Sequence, residues 1–391
     1  MQDVVDECGC SGGRIYLVCG IVVRCKYVFI FQFLEELFMN KCKKWLATFG
    51  IAILLGLAAV AGMTIYVDPF FQYHKPLTWF PYLVDHQVNM NPGLAKNMDY
   101  DSILLGSSMT VSFNTDWFEE EMGLTTQKLS YNGAYPKDQA NIMDIVFEEK
   151  GNTVTDVFLG IDELNYSADT EQTKFPVPEY LYDDNLLNDV QYIWNKDVLL
   201  NYILRPMVDT KDKSDWNMIY KPWWQDEHYQ KAIVLMYYEP AEESDTYVEP
   251  DTYIEGVEAN LAQNIIPYIE ANPETTFHIF YPPYSILYWY DVTRQQELDA
   301  VIEKYRYMTN RLLDYENVEV FFFQNQEEII CNLNNYADYT HYHGRICNYM
   351  VECFANGERR VTKETLEDEL NVLRELTENY DYEAIWDDWY N

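Results

Sequence analysis

The sequence predicts an α/β protein, a three-layer sandwich with a central parallel sheet, preceded by an N-terminal transmembrane helix. Short apolar runs that end in glycine or proline alternate with amphipathic helical patterns along the chain. This strand-helix-strand order implies a parallel sheet covered by helices on both faces. A separate stretch of 23 residues without a charge is long enough, at ~1.5 Å per residue, to cross the ~30 Å hydrocarbon core of a bilayer.

The charge balance excludes one class of partner. The chain of 391 residues has 64 acidic and 27 basic residues, a formal net charge of -37. A surface this negative repels phosphate backbones, which excludes nucleic-acid binding through a basic face. Because 48% of the residues are hydrophobic and 16% aromatic, the chain has ample material for a core and is not disordered. Residues 68–391 carry 59 acidic and 21 basic residues, so the excess acid lies beyond the apolar stretch.

The first predicted element is that apolar stretch, residues 45–67. Lys41, Lys43 and Lys44 precede it, and by the positive-inside rule they put the N-terminus in the cytoplasm and the acidic domain outside the cell. We therefore expect a single-pass protein of the cell membrane with an extracytoplasmic domain over 68–391. A cleaved signal peptide is the alternative, because residues 59–61 (Ala-Val-Ala) fit a small-x-small cleavage site.

Residues 1–38 are a doubtful N-terminal extension. They contain four of the eight cysteines, whereas Met39 and the lysines after it form an ordinary start of a membrane-targeting sequence. We therefore hypothesise that translation begins at Met39, with a cytoplasmic stub and the anchor over 39–67. The alternatives are a second membrane segment over 15–34 and, more weakly, a metal site at Cys8-x-Cys10, which lacks a second ligand pair at zinc spacing.

Five strands are predicted beyond the anchor. Residues 102–105 form an apolar run that ends at Gly106, as a buried parallel strand does. Residues 275–281 form another, closed by two prolines. The predicted strands cover 102–105, 127–131, 154–160, 275–281 and 318–323.

Helices are predicted between and after these strands from apolar residues at helical spacing. Within 255–271, apolar residues such as Leu261 and Ile265 recur on one face, and Thr362 is a candidate N-cap for the last helix. Residues 165–250 break the rhythm and are rich in tryptophan and tyrosine, which indicates an insertion. The predicted helices cover 137–149, 255–271, 291–315 and 344–354, followed by the helix from Thr362.

Reactive side chains follow the first two strands and recur near the end of the chain. Ser108 lies on the turn after the first strand, where helix N–H groups stabilise an anionic oxygen. Asn132 and Gly133 follow the second strand, and a glycine lets a backbone N–H approach a substrate closely. Asp338 precedes His341 by three residues, so it can hold the imidazole while the other ring nitrogen deprotonates a serine. Open α/β sheets bind ligands at the carboxyl ends of their strands, so we expect these residues to meet there.

The order of these motifs resembles that of the SGNH/GDSL-type hydrolases. The resemblance rests on the Gly-x-Ser that ends at Ser108, on Gly133, and on the Asp-x-x-His of 338–341. The most similar branch is membrane-anchored and includes the teichoic-acid D-alanylation protein and alginate-acetylation relatives. The Asp-Pro-Phe of 68–70 is also similar to uncharacterised members. The resemblance covers roughly 68–380 and implies an SGNH, flavodoxin-like sandwich.

The resemblance implies a catalytic role for Ser108, His341 and Asp338. Ser108 matches the nucleophile, His341 the general base, and Asp338 the acid that orients the imidazole. The backbone N–H groups of Ser108 and Gly133 match the oxyanion hole, which binds the charge that develops on the carbonyl oxygen. No metal or organic cofactor is implied.

Two positions depart from the family pattern. Ser107 occupies the aspartate position of the first motif, and Asp162 stands where the third motif has asparagine. An ionised Asp162 only accepts hydrogen bonds and opposes a developing oxyanion. Three outcomes stay open: Asp162 is protonated, Asn132 or another donor replaces the asparagine, or catalysis is weak.

These observations predict a membrane-anchored, extracytoplasmic serine esterase or acyltransferase that acts on an acyl or acetyl ester of a cell-envelope glycan. The resemblance also implies a membrane-bound acyltransferase as a partner. The alternative function is a catalytically silent envelope scaffold or glycan-binding protein of a polymer-modifying complex. A zinc site at Asp338, His341 and His343 is a weaker alternative, because no second ligand pair supports it. The acidic surface disfavours a strongly anionic polymer unless a local basic patch intervenes, and favours a neutral or weakly charged glycan ester.

Overall fold

The fold is built around one six-stranded sheet. The structure, a computed structural model, describes residues 12–209, 213–221 and 226–386, with side chains from Met39 onward. The strands lie in the order β2-β1-β3-β4-β5-β6, and all pairs are parallel except β5 with β6. The strands are β1 (Ser102–Leu105), β2 (Thr126–Lys128), β3 (Asp156–Gly160), β4 (Thr276–Tyr281), β5 (Val318–Phe322) and β6 (Arg360–Val361).

The central strands are apolar throughout because helices cover both faces of the sheet. Ile103, Leu104 and Leu105 of β1 are at most 1% exposed. A strand buried on both faces gains hydrophobic free energy from every side chain, so its sequence shows a continuous apolar run rather than alternation. The predicted α/β class with a mostly parallel sheet is confirmed. The antiparallel edge strand β6 is an addition that the sequence did not predict.

Fifteen α-helices are present in the described part of the chain. α3 packs against α14, whereas α4 packs against α2 and against the π-helical turn Leu261–Ile265. They are α1 (Gly12–Val67), α2 (Gln87–Asn97), α3 (Asp116–Met122), α4 (Pro136–Lys150), α5 (Glu179–Tyr182), α6 (Val190–Ile193), α7 (Arg205–Val208), α8 (Lys231–Tyr237), α9 (Ile254–Asn260), α10 (Ile266–Ala271), α11 (Ile286–Arg294), α12 (Leu298–Leu312), α13 (Glu327–Ile330), α14 (Gly344–Asn356) and α15 (Leu366–Asn379).

The strand order creates a crevice at β1. The chain passes from β1 to β2 on one side and then to β3 on the other side of β1. At such a switch point the connections diverge, so the carboxyl ends of β1 and β3 are open to a ligand. The reactive residues that follow these strands are therefore the ones that the fold exposes together.

Two predicted helix boundaries are wrong. The single helix expected over 291–315 is two helices, α11 and α12, because Gln296 has a φ of +59°, a left-handed conformation that a right-handed helix cannot contain. The last helix begins at Leu366 rather than near Thr362. Residues 360–361 pair with β5, and a turn follows them before the helix starts. The other predicted strands and helices lie within a few residues of the observed ones.

The described part of the N-terminal unit, from Gly12 onward, is helical. The chain divides after Met63, and α1 runs from Gly12 to Val67. Within it, Met39–Val67 has a mean hydropathy of 2.2 and is long and apolar enough to cross a membrane. The orientation of this helix in a membrane remains a prediction. Signal-peptide cleavage at 59–61 and a translation start at Met39 also remain predictions. Cys8 and Cys10 lie outside the described residues.

The segment after the apolar helix is fixed by Asp68. Its carboxylate accepts the backbone N–H groups of Gln72 (3.0 Å), Tyr73 (2.7 Å) and His74 (3.1 Å). It also accepts the hydroxyl of Tyr192, at 2.8 Å. Because Tyr192 belongs to the insertion, Asp68 ties the insertion to the start of the α/β unit. This network gives the aspartate of the Asp-Pro-Phe motif a structural role.

The insertion, predicted over 165–250, contains short helices and no strand among its described residues. Its aromatic residues divide into two groups. Tyr166, Tyr192 and Tyr220 are buried, at most 4% exposed, and belong to the main core. Trp194 is 46% exposed. The three buried tyrosines therefore pack the insertion onto the domain.

Candidate active site

Ser108 is presented by a sharp turn after β1. Gly106 has a φ of +153°, and a Cβ on it would lie 2.5 Å from Cγ2 of Thr110, so only glycine fits. Ser107 then caps a short 3-10 helix over Ser108–Thr110 by accepting the N–H of Met109 at 3.2 Å. The turn leaves Ser108 half-buried, with its hydroxyl available to a partner and to a ligand.

The three residues predicted to act together are in hydrogen-bond contact. Ser108 Oγ lies 2.8 Å from His341 Nε2, across 233 residues of sequence. His341 Nδ1 lies 2.7 Å from Asp338 Oδ2. With Nδ1 protonated toward the carboxylate, Nε2 carries the lone pair that accepts the serine proton. The arrangement is that of a nucleophile, a general base and an orienting acid.

Asp338 is held as a carboxylate by its own turn. Its Oδ1 accepts the backbone N–H groups of Thr340 and His341, each at 2.8 Å, while Oδ2 bonds the imidazole. Burial alone would raise the pKa of Asp338, but the hydrogen bond and charge of His341 and these two N–H groups outweigh burial and lower the pKa to about 2. The Asp-x-x-His spacing thus builds the turn that positions the imidazole.

The loop that carries His341 is fastened to the nucleophile turn. Tyr342 is buried, and its hydroxyl donates to the carbonyl of Met109 at 2.7 Å. Behind the turn, the Nζ of buried Lys128 donates to the carbonyls of Val111 (2.8 Å) and Phe113 (2.6 Å). Burial lowers the pKa of Lys128 to about 7. These contacts fix the distance between serine and histidine, and sequence patterns alone did not reveal them.

The predicted oxyanion residues lie on the loop beside the serine turn. Tyr131 donates its N–H to the carbonyl of Gly106 at 2.9 Å, which joins the loops after β2 and β1. Gly133 has a φ of +68°, a left-handed conformation that favours glycine. Within the described residues, neither the N–H of Ser108 nor that of Gly133 has a hydrogen-bond partner, so both remain available to a substrate oxygen.

Asn132 is engaged by a residue that the sequence did not single out. Gln87, at the start of α2, accepts the backbone N–H of Asn132 at 2.7 Å and donates its amide to Asn132 Oδ1 at 3.1 Å. This reciprocal pair fixes the loop before Gly133. It leaves the side-chain amide nitrogen of Asn132 as the donor that could replace the family asparagine. A lone glutamine outside any motif gives no sequence signal for this role.

Asp162 follows β3 and bonds the serine next to the nucleophile. The hydroxyl of Ser107 donates to Asp162 Oδ2. The carboxyl group is enclosed although the residue is partly exposed, and this burial raises its pKa to about 6, against the opposing effects of Ser107 and the His341 charge. The two departures from the family pattern are therefore in contact: a serine replaces the acid of the first motif, and an acid replaces the amide of the third.

A buried ion pair follows Asp162. Glu163 is fully buried and bonds both the ammonium of Lys304, which is 4% exposed, and the hydroxyl of Tyr288. A buried pair held on several sides fixes the backbone on which it sits. It therefore positions the end of β3, including Asp162. The sequence placed Lys304 only on a helix, because a partner 141 residues away leaves no local pattern.

His343 serves the backbone rather than a ligand. Its Nδ1 accepts the N–H of Arg345 at 3.0 Å and caps α14. In the described residues there is no group of three or more His, Cys, Asp or Glu side chains arranged to hold a metal. The zinc alternative at Asp338, His341 and His343 therefore has no geometric support in this part of the chain.

Comparison of this chain with protein-family models, with curated proteins and with solved structures found no match.

Proposed function

We propose that this chain is a membrane-anchored serine esterase or acyltransferase that acts outside the cytoplasm on an acyl or acetyl ester of a cell-envelope glycan. The observation that carries the proposal is the unbroken chain of hydrogen bonds from Ser108 Oγ to His341 and on to Asp338, at 2.8 and 2.7 Å. The strand order and the switch-point position of Ser108 support the SGNH, flavodoxin-like arrangement that the motifs imply.

In the proposed reaction Ser108 Oγ attacks the ester carbonyl while its proton passes to His341 Nε2. Asp338, ionised at working pH, stabilises the imidazolium that forms. The N–H groups of Ser108 and Gly133 bind the tetrahedral oxyanion. His341 then returns the proton to the leaving alcohol, which leaves an acyl-Ser108 ester. Water or an acceptor hydroxyl, deprotonated by His341, releases the acyl group and restores the serine.

Asp162 sets the pH at which this reaction works best. When ionised, its carboxylate accepts the Ser107 hydroxyl and repels a nearby oxyanion; when protonated, it can donate. Protonation of Asp162 is favoured below a pH of about 6. At neutral pH the donor form of Asp162 is therefore the minor form, which makes the proposed enzyme slow there.

A catalytically silent scaffold is the second candidate, and Asp162 is the observation that favours it. A hydrogen-bond acceptor at a position where acyl transfer needs a donor leaves the transition state less stabilised and lowers the rate about 10²–10³-fold. In that case the triad would be retained for its structure while the site binds a glycan without turnover.

A fluorophosphonate probe separates the two candidates. The full chain in nanodiscs is expected to be labelled at Ser108, and Ser108→Ala is expected to abolish labelling. Ser244→Ala, at a half-buried serine of the insertion, is the matched control and should label like the wild type. If the wild-type chain is not labelled and hydrolyses no acetyl ester, the scaffold function replaces the enzyme.

A further inference from the structure

The insertion exposes a first row of apolar side chains over residues 186–194. Leu186, Val190 and Trp194 recur at every fourth position and are at least 46% exposed. Asp189 and Tyr192, on the opposite side of the same turns, are buried. One face of this segment therefore packs on the domain, while the other presents an apolar row, the first stripe, to the outside.

A second stripe follows directly along the chain. The short apolar helix Val198–Val208 has Leu200, Leu204 and Val208 on its outward face, and Val208 is 90% exposed. Ile203 of the same helix is fully buried. A helix that is apolar on both faces can pack only one of them on its own domain, so the outward face marks a contact with another apolar surface.

Both stripes are built on the chain that immediately follows the apolar helix α1. The hydroxyl of Tyr192 accepts the N–H of Phe70 at 3.0 Å. The rings of Tyr192 and Tyr202, one from each striped segment, pack against Phe70 at centroid distances of 5.3 and 5.1 Å. Phe70 lies three residues after Val67, the end of α1, which is at most ~11 Å along the chain. The stripes are therefore held next to the end of the segment that can cross a membrane.

An exposed tryptophan joins the end of α1 to the second stripe. The ring of Trp79, 56% exposed, lies 6.4 Å from the ring of Tyr66 in the last turn of α1. Trp79 also lines an open cavity of about 440 Å³ together with Met207, the exposed neighbour of Val208. Tryptophan and tyrosine side chains favour the headgroup level of a bilayer, where one part of the ring system is apolar and another is solvated. An exposed apolar surface thus runs from Tyr66 through Trp79 to the second stripe.

The charges beside the second stripe do not favour an ionic partner. Lys196 and Arg205 are exposed there, but so are Asp197 and Asp209. With both signs present, the attraction of this face is hydrophobic rather than electrostatic. A weak apolar contact is enough for a tethered domain, because the tether makes the contact intramolecular and removes most of the entropic cost of association.

We propose that the two stripes and Trp79 rest on the leaflet that faces the domain, in the same membrane that holds α1, with their side chains at the boundary between headgroups and acyl chains. The partner of this face is a lipid surface. The contact uses no residue of the candidate active site, so it holds for an esterase and for a silent scaffold alike. It fixes the height and orientation of the domain above the bilayer, which a single flexible tether does not.

Photo-crosslinking to lipid tests the contact in the full chain. The chain is placed, one copy per disc, in phosphatidylcholine nanodiscs that contain a diazirine-bearing phosphatidylcholine, and adducts are located by mass spectrometry after irradiation. We expect adducts on 186–194 and 198–208 as well as on 45–67, with yields that added salt does not lower. Val372, an apolar residue that is 49% exposed on α15, should carry no adduct. Adducts confined to 45–67 overturn the proposal. Crosslinks between the stripes of two copies, in discs loaded with two and in place of lipid adducts, assign the face to a dimer and overturn it as well.

Substitutions on the second stripe give the expected size of the effect. The variant Leu200→Ser/Leu204→Ser/Val208→Ser should lower the adduct yield on 198–208, relative to that on 45–67, at least roughly tenfold, because each half-buried leucine contributes about tenfold to an apolar contact. Val372→Ser, at an equally exposed apolar position, should leave this ratio unchanged. A ratio that the triple variant does not lower contradicts the proposal.

Tryptophan quenching measures the first stripe independently. In nanodiscs of brominated phosphatidylcholine, Trp194→Phe should lower the fraction of tryptophan fluorescence that is quenched, because it removes a ring that lies at the lipid. Trp117→Phe, at a half-buried ring on α3 beside Gly344 of α14, removes an unquenched ring and should raise that fraction. A quenched fraction that Trp194→Phe leaves unchanged or raises overturns the lipid contact of the first stripe.

Discussion

Replacing Asp162 by asparagine tests the most unusual feature of the site. In the wild type an enclosed carboxyl group accepts the Ser107 hydroxyl at a position where a hydrogen-bond donor is expected. Asparagine keeps an acceptor oxygen for Ser107, removes the charge, and adds an amide N–H₂ at the same place. The substitution should therefore alter stability and catalysis in ways that depend on pH.

The magnitude follows from the pKa of Asp162. The side chain has a pKa of 3.8 in the unfolded chain and about 6 in the fold, so its ionisation costs the folded state roughly 3 kcal/mol. Below pH 3.8 the carboxyl is protonated in both states and this cost is absent. The cost appears as the pH rises and is complete above about 6. Asp162→Asn should thus match the wild type near pH 3.5 and be more stable by up to roughly 3 kcal/mol at pH 7.5.

The assay is urea unfolding of the full chain in micelles, followed by tryptophan fluorescence at both pH values. Asp156→Asn, at the start of β3, the strand that Asp162 follows, is the matched control, and its change in stability should have the opposite sign. Burial would raise the pKa of Asp156, but its hydrogen bonds to His278 and Thr155 and the charge of His278 lower it, so that variant should lose stability at neutral pH. A stability difference for Asp162→Asn that is independent of pH, or a loss of stability at pH 7.5, refutes the reasoning.

The same variant has a kinetic prediction. The new amide can donate to the oxyanion at every pH, so kcat for an acetyl ester at pH 8, where Asp162 is ionised in the wild type, should rise by up to about 10²-fold. A fall in kcat at pH 8 would show that the carboxylate takes part in the reaction, and would contradict the role assigned to Asp162 here.

Three further substitutions test the other residues that form or support the candidate active site. Asp338→Asn should lower kcat about 10⁴-fold with little change in KM, because the imidazole loses the partner that fixes its tautomer; steady-state kinetics measure this. Gly106→Ala should cost at least roughly 1–3 kcal/mol and slow fluorophosphonate labelling, since its Cβ meets Thr110 at 2.5 Å; labelling at the wild-type rate would contradict it. Lys304→Met should destabilise the fold by roughly 3–5 kcal/mol, because it leaves the charge of Glu163 buried and unpaired; urea unfolding measures the loss.

The residues of the candidate site could be picked out from the sequence because each lies at a strand end or within a short motif. Ser108 follows an apolar run and a glycine, and Asp338 lies three residues before His341, a spacing that builds its own turn. Such sequence signals are local. The order of the strands along the chain then brings the residues that carry them to one edge of the sheet. The sequence did not predict the helix break at Gln296, because the spacing of apolar residues does not show where the backbone adopts a left-handed conformation.

The supporting residues were not predictable in the same way. Gln87 and Lys304 act on residues 45 and 141 positions away, and neither belongs to a motif. Their roles depend on burial and on which polar groups are paired, and both are set by packing across the whole domain. The same holds for Asp162, whose identity was read from the sequence but whose pKa depends on the enclosure of its carboxyl group.

The sequence by itself determined the α/β class, the apolar helix, the excess of negative charge and the three residues of the candidate triad. These follow from periodicity, composition and short spacing, which the chain carries locally. The tertiary structure decided where charge is compensated and where it is not. A net charge is a sum over the chain, whereas the interaction of two charges depends on a distance of a few ångströms, so an acidic domain can still bury the ammonium of Lys304 against Glu163.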